Sequence, residues 1–214
     1  MRGPALKIAT RAPARTEALV VAEGHELPAA VTAELERALG VNGRAAAVRT
    51  LGLGPAPLVV GLRLPDLADT VAMRRLFGRV GRILAAENVR SASLVLPAGF
   101  PPERAGLAVQ GLFLGLYRFD RYRNGEGAPL PALTLVTTET AVAKAARAGL
   151  PVAEGQWIAR DLVNTPAEDM GPSELEAEAR RLAKEAGLKI RVLDAARCRR
   201  LGMGALTTVG RDSA

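Results

Sequence analysis

The residues best suited to chemistry are few and widely spaced in this 214-residue chain. The densest acidic groups are Glu168-Asp169 and the trio Glu174, Glu176 and Glu178. Carboxylates at that density raise the question of metal-assisted hydrolysis, in which several of them converge from different elements on two divalent ions. Here they follow one another along a single stretch. Glu174 and Glu178, at i and i+4, share one helical face beside Arg180, Arg181 and Lys184, and acids early in a helix complement its macrodipole. This is the pattern of a solvated helix, and it makes no metal site by itself. Cys198 stands in Arg-Cys-Arg-Arg, positive surroundings of the kind that activate thiols, yet no histidine lies near it in sequence. His25 is the single histidine and sits in a polar Glu-Gly-His-Glu loop. Arg75, Arg79 and Arg82 form a row on one side of a helix, a place for phosphates but more simply a solvated face.

The familiar catalytic strings are absent. There is no G-x-S-x-G elbow, no Walker glycine loop, no G-x-G-x-x-G after a strand and no H-E-x-x-H. The formal net charge is +7, and arginine makes up most of the basic residues. The whole surplus lies in residues 1–150, while residues 151–214 balance. A basic surface suits phosphate, nucleic acid or an acidic partner; an arginine- and alanine-rich composition also arises from genomic base bias without any binding role. One cysteine excludes an internal disulfide and fits a reducing compartment. No apolar run approaches the ~18 residues that span a membrane. The basic N-terminus before Glu17 has a transit-peptide flavour, but residues 6–9 and 18–22 read as two short strands, so the expectation is a cytoplasmic protein with no targeting segment.

The elements that must position these residues alternate. Besides those two strands, short apolar or β-branched runs predict strands at 46–51, 58–62, 91–97 and 133–137. Helical periodicities predict helices near 28–39, 67–87 and 102–119, then a long one over 139–164 interrupted at Gly149-Leu150-Pro151. Such alternation argues for an α/β layered domain. In the helix at 67–87, Met73, Leu76, Phe77, Val80 and Leu84 form a core stripe. The helix at 102–119 has no polar face, and Gly106, Gly111 and Gly115 cost it helix propensity. That cost makes sense if the helix is buried and its glycines let a neighbour approach closely. Only 3% of residues are aromatic, so the core is built from Leu, Val and Ala.

After Pro166 the rhythm changes. Gly171 is a candidate N-cap with Pro172 at the first helical position. Leu175, Ala179, Leu182, Ala183 and Ala186 make one apolar face, and Gly187 stands where a left-handed C-terminal cap belongs. Residues 188–193 then read as a strand, 194–201 as a short helix and 205–209 as another strand. The expectation is a second α/β domain begun and not finished, with apolar surface exposed around Leu206 and Val209 and low solubility for residues 188–214.

From Trp157 onward the chain resembles the M17 leucyl aminopeptidases, also called cytosol aminopeptidases. The resemblance is carried by Ala-Arg-Asp-Leu-Val-Asn-Thr-Pro at 159–166, Asp-Met-Gly-Pro at 169–172, Glu-Ala-Arg-Arg-Leu-Ala-Lys at 178–184, and Leu-Gly-Met-Gly-Ala-Leu with Val-Gly-Arg at 201–211. Upstream, Gly-Leu-Tyr-Arg-Phe-Asp-Arg-Tyr at 115–122 and Leu-Val-Val-Gly-Leu at 58–62 add to it. The order and spacing of these segments make the match specific, and it covers nearly the whole chain.

The resemblance implies a macro-domain-like, mixed-sheet α/β N-terminal domain over 1–150, a linking helix over 151–166 and the beginning of a peptidase catalytic domain over 167–214. It implies a hexameric cytoplasmic enzyme that uses two divalent metals, zinc or manganese, to polarise a peptide carbonyl and deliver an activated water. The family's metal ligands lie in Lys-Gly…Phe-Asp…Gly-Gly and Asn-Thr-Asp-Ala-Glu-Gly-Arg segments, and neither string occurs here. No catalytic or metal-binding residue therefore transfers to this chain, its substrate-binding residues are unassigned, and it is expected to be inactive alone. Asn164 and Asp169 fall in matching segments and read as structural caps. Two alternatives stand beside this reading: a free-standing macro-like module for nucleic acid or ADP-ribose, with DNA the less favoured partner, and an architectural piece that joins or caps a hexamer of intact enzymes.

Overall fold

The strand Ala-Leu-Val-Val-Ala, Ala18–Ala22 (β2), is buried at every position. An unbroken apolar run is what a strand needs when both faces of its sheet are covered. The computed structural model describes residues 5–123 and 132–210, and β2 lies inside a six-stranded sheet. Its other strands are Leu6–Ala9 (β1), Ala45–Arg49 (β3), Leu58–Leu62 (β4), Ser91–Val95 (β5) and Ala132–Val136 (β6), in the order β1-β6-β5-β2-β4-β3. β3 runs antiparallel to β4, and every other pairing is parallel. Val20 stands opposite Val60 on one side and Leu94 on the other. The fold is thus the mixed-sheet α/β class expected from the alternation of elements.

Period-two alternation divides the core between the sheet's faces. Leu19, Val21, Ala46, Val48 and Val59 pack with Val31, Leu35 and Leu39 of Ala29–Asn42 (α1). Ala18, Val20, Val60, Leu94, Leu133 and Leu135 face a larger cluster built by Thr70–Ala86 (α2), Pro102–Leu116 (α3) and Thr140–Asn164 (α4). Met73, Leu76, Phe77, Val80 and Leu84 of α2 are all buried, as their spacing predicts. The helix starts at Thr70, three residues later than its periodicity suggests, because the Asp69 carboxylate accepts from the N–H groups of Val71 (3.0 Å) and Ala72 (2.8 Å) and so defines the N-cap. Strand β3 ends at Arg49 where Thr50 turns the chain: its N–H donates to Pro57 O and its hydroxyl to Ala56 O at 2.7 Å.

The glycines of α3 mark where backbones touch. A Cβ on Gly115 would stand 2.1 Å from the Gly78 carbonyl oxygen of α2, and one on Gly111 would stand 2.4 Å from that of Arg74. Gly106 makes the corresponding approach to α4, where a Cβ on Gly149 would lie 2.4 Å from Gly106 O.

Helix α4 corrects an expectation. It runs unbroken from Thr140 to Asn164 with Pro151 inside it, although a proline lacks the N–H for its i−4 carbonyl and crowds it. Packing on both sides of the proline outweighs that local cost. Val142, Ala146 and Gly149 are buried before it, and Ala153 and Trp157 after it. Trp157 adds a directional contact, its indole N–H donating to Phe113 O at 3.0 Å. Phe113 lies in the last turn of α3, whose carbonyls have no partner within the helix. The Tyr117 ring meets Trp157 edge-on at 5.6 Å.

Contacts divide the chain into two units, Met1–Ile158 and Ala159–Ala214. The second contains a 3-10 turn at Ala167–Asp169, then Pro172–Ala186 (α5), Ala195–Arg200 (α6) and Gly204–Val209 (α7). Helix α5 follows its expectation: Gly171 precedes Pro172 as N-cap, and Gly187 closes the helix at φ +67° and ψ 25°. Two strand expectations are corrected. Residues 188–193 carry no assigned strand, and residues 205–209 are helical, forming most of α7. Thr207 Oγ1 donates to Gly204 O at 3.0 Å and Met203 O at 3.2 Å, and these local bonds close a short helical turn where no neighbouring strand competes for the backbone. Arg211 of the Val-Gly-Arg string and residues 1–4 of the basic N-terminus lie outside the described residues.

Candidate functional site

In the first unit, topology singles out one place. Chain leaving β2 enters α1 on one face of the sheet, and chain leaving the neighbouring parallel strand β5 enters α3 on the other. Between such strands, outside their carboxyl ends, an α/β sheet opens the crevice where ligands bind. That crevice is lined by Ala22, Glu23, Gly24 and His25 after β2, and by Val95, Leu96, Pro97 and Ala98 at the end of β5, and it holds about 220 Å³. Gly24, at φ +87°, makes the turn that carries His25 there, and the His25 N–H donates to Ala22 O at 3.2 Å. Its side chain is exposed, and Glu23 is engaged by Arg63 at 3.3 Å. The volume falls short of the ~300–1,000 Å³ usual for small-molecule sites.

Two hollows of about 440 and 470 Å³ flank the loop after β3 and share Arg49, Thr50 and Leu51 among their walls; Leu53 lines the first and Gly54 the second. Arg49 pairs with Glu87. The threonine hydroxyls in their walls bond the backbone, Thr50 donating to Ala56 O at 2.7 Å and Thr16 to Ala18 O at 3.0 Å, rather than a neighbouring carboxylate that could activate them.

The acidic residues of the second unit do not converge. Glu168 and Asp169 lie in the 3-10 turn. Glu176 binds Arg180 at 2.7 Å, and Arg181 holds both Glu178 and, at 2.7 Å, Glu185. The Arg181 guanidinium is held above its ordinary range by the Glu178 hydrogen bond first and the Glu185 bond next. These are i,i+3 and i,i+4 pairs along one helix, the solvated face that the spacing predicts. Glu174 does something more local. Its carboxylate accepts from the Gly171 N–H at 3.0 Å and from the Ser173 hydroxyl at 3.0 and 3.1 Å. Its carboxyl lies below the ordinary value, chiefly because its own backbone N–H bonds the charged form, followed by Ser173; burial and the charge of Asp169 oppose them. Gly171 has no side chain to complete the box, so Glu174 supplies its one arm.

Asn164 and Asp169 each have an interaction partner. Cys198 is buried in α6, and its thiol donates to Leu193 O at 3.7 Å. Arg75, Arg79 and Arg82 are exposed on α2. Among the described residues no three His, Cys, Asp or Glu side chains gather closely enough to hold a metal ion. The Trp157–Phe113 bond escapes sequence reasoning, because a carbonyl left over at a helix end shows only once the helix ends are known. The position of His25 beside the sheet crevice was open to inference, since a glycine turn follows a buried strand directly.

A mixed six-stranded sheet with helices on both faces, followed by a short helical segment and no assembled catalytic constellation among the described residues, defines a two-part α/β chain. The model of the cytosol aminopeptidase family's N-terminal domain matches residues 17–126, and that of the family's catalytic domain matches residues 157–214. The chain belongs to the cytosol aminopeptidase family. A probable cytosol aminopeptidase of Solibacter usitatus is 38% identical over 73% of this chain and 33% of its own length. One of Mycobacterium ulcerans is 35% identical over 93% of this chain and 40% of its own. The chain thus spans a third to two-fifths of the length of these relatives. Among solved structures, the bottromycin maturation enzyme BotP is 29% identical with a TM-score of 0.73, covering 93% of this chain and 44% of that one. A tomato leucine aminopeptidase variant shares the fold at a TM-score of 0.71 and 18% identity, over 94% of this chain and 47% of that one. These comparisons give no support to the alternative of a free-standing module for nucleic acid or ADP-ribose. No helix among the described residues is long and apolar enough to cross a membrane.

Proposed function

We propose that this chain is the N-terminal portion and the opening of the catalytic domain of a two-metal, leucyl-type aminopeptidase that removes N-terminal residues from peptides. The observation that carries the reading is the order of two family matches on one chain, the N-terminal domain over 17–126 and the catalytic domain over 157–214. In this reading residues 1–150 are the N-terminal domain, 151–166 the linking helix and 167–214 the beginning of the catalytic domain. Manganese or zinc is the implied metal, and BotP has been solved in complex with Mn. The described residues do not fit a two-metal centre, since they bring no three metal-ligating side chains together. No catalytic step is therefore assigned to them, and the 214-residue chain alone does not turn over peptide. Assembly as a homo-hexamer in the cytoplasm completes the reading; the relatives' designation as cytosol aminopeptidases supports the compartment.

The test is a chimera in which residues 1–214 replace the matching stretch of the Mycobacterium ulcerans relative. It is expected to hydrolyse leucine p-nitroanilide with added Mn²⁺, while the 214-residue chain does not. A folded chimera without activity, beside an active parent, overturns the functional reading. Turnover by the 214-residue chain overturns its inactivity.

A further inference from the structure

Strand β3 closes one edge of the sheet, and among the described residues no strand pairs with its far side. The Thr50 N–H donates to Pro57 O and the Arg63 N–H to Arg44 O. In the β3–β4 register the even-numbered residues of β3 therefore bond β4, and the N–H and C=O groups of Ala45, Ala47 and Arg49 point away from the sheet. Ala45 is buried, Ala47 half-buried and Arg49 exposed, so the open part of this edge is 47–49. The hollow of about 440 Å³ between α1 and these residues keeps its α1 side clear. Large apolar side chains stand exposed at both ends of the strand: Val41 (82%) in the last turn of α1 before it, and Leu51 (90%) and Leu53 (65%) after it. Leu51 and Gly52 have φ of +48° and +86°, and the Leu53 N–H donates to Thr50 O at 2.9 Å, the pattern of a type I′ turn, whose preferred pair is Asn-Gly. A leucine at that position is disfavoured by its backbone and by water alike, and an apolar contact would supply what both withhold.

We propose that the β3 edge is a contact between two copies of this chain, paired antiparallel about a two-fold axis at Val48. Such an interface presents the same patch on both partners, and three features of this patch suit it to itself. An antiparallel two-fold sets the start of one strand against the end of the other. Residue 51 of one copy then stands opposite residue 45 of its partner, beside the end of α1, and Leu51 and Leu53 meet the partner's Val41. The outward groups of Ala47 and Arg49 bond those of the partner's Arg49 and Ala47, which adds a ladder across the junction. Val48 faces its own counterpart, and each Arg49 stands opposite an alanine. No like charges are therefore directly opposed, the arrangement that destabilises a ladder, and each Arg49 already pairs with Glu87 of its own chain. Residues 45–48 carry none of the charges or prolines that guard an edge against addition. The contact uses the first unit alone and is independent of the aminopeptidase reading.

Sedimentation velocity of the full 214-residue chain across the micromolar range tests the proposal. One added strand with an apolar contact at each end is a small interface, so a dimer is expected with Kd on the order of 10 µM. Amide exchange read by NMR locates the contact. The amides of Ala47 and Arg49 are expected to slow as concentration rises, since amides closed into a ladder exchange only on opening, while those of Ala46 and Val48, already bonded to β4, stay unchanged. Leu51→Asn gives the turn its preferred Asn-Gly pair, so the monomer keeps its fold while Kd is expected to rise roughly tenfold or more. Ala47→Pro removes an N–H that β4 does not use and sets a ring on the pairing edge; it is expected to abolish the dimer. A chain that stays monomeric throughout, or a dimer that survives both substitutions, overturns the proposal. So does a dimer in which Ala47 and Arg49 exchange at the monomer's rate, which places the contact on another surface. A chimera without peptidase activity leaves the proposal standing, and a monomeric chain leaves the functional reading standing.

Discussion

Replacing Gly115 by alanine isolates the energetic weight of the α2–α3 contact. An alanine Cβ there would stand 2.1 Å from Gly78 O, 2.9 Å from Gly78 C and 3.0 Å from Gly81 Cα, against about 3.4 Å for ordinary contact. All three obstacles are backbone, so no side chain can swing aside and the helices must separate by more than an ångström. Gly81 sits across the same contact, where its own Cβ would meet Leu112 O at 2.3 Å. Overpacking of this sort costs roughly 1–3 kcal/mol, and rigid obstacles place Gly115 at the upper end. Alanine regains up to about 1 kcal/mol of helix propensity, leaving a net loss of about 2 kcal/mol. For a unit of this size that lowers Tm by roughly 4–8 °C. The control is Gly155→Ala in α4, where a Cβ meets nothing within 4 Å and a gain of about 0.5–1 kcal/mol is expected. Fluorescence of Trp157, the only tryptophan, follows urea unfolding of both variants from inside the affected cluster. A Gly115→Ala protein as stable as the parent would refute the close-contact account, and two variants shifting in the same direction would refute the opposition of packing and propensity.

Trp157→Phe keeps most of the ring volume but leaves Phe113 O without its donor; a loss of about 1–3 kcal/mol is expected in thermal unfolding followed by circular dichroism. A change under about 0.5 kcal/mol would show that water replaces the indole N–H. Glu174 gives a pH signature. Because its folded pKa lies below the ordinary 4.5, its support of the α5 N-terminus is fully present above that value and is lost as pH falls through the lowered one. Amide chemical shifts of Gly171 and Ser173 should report that loss in the acid range, and Glu174→Gln should remove the titration.

What the sequence makes legible follows from how local each signal is. The α2 stripe, the glycine approach of α3 and the Gly171 and Gly187 ends of α5 rest on spacings within a few residues, and all appear in the structure. Pro151 misleads because a local rule meets packing at Gly149, Ala153 and Trp157 that only tertiary structure supplies. The segments at 188–193 and 205–209 mislead for a related reason: alternation and β-branching mark a strand, but a strand exists only beside a partner. The solvated acidic face of α5 was legible, since its spacing already sets Glu178 beside Arg181 on the same helix.

The Trp157 indole has a consequence for dissecting the molecule. The catalytic-domain match begins at residue 157, yet Trp157 is buried in the first unit and donates to its α3. The frontier of homology and the frontier of folding are therefore not the same peptide bond. A protein cut where the family match begins would lose the plug from its first unit's core, and an excised first unit is expected to need the chain through Ile158 to keep its packing.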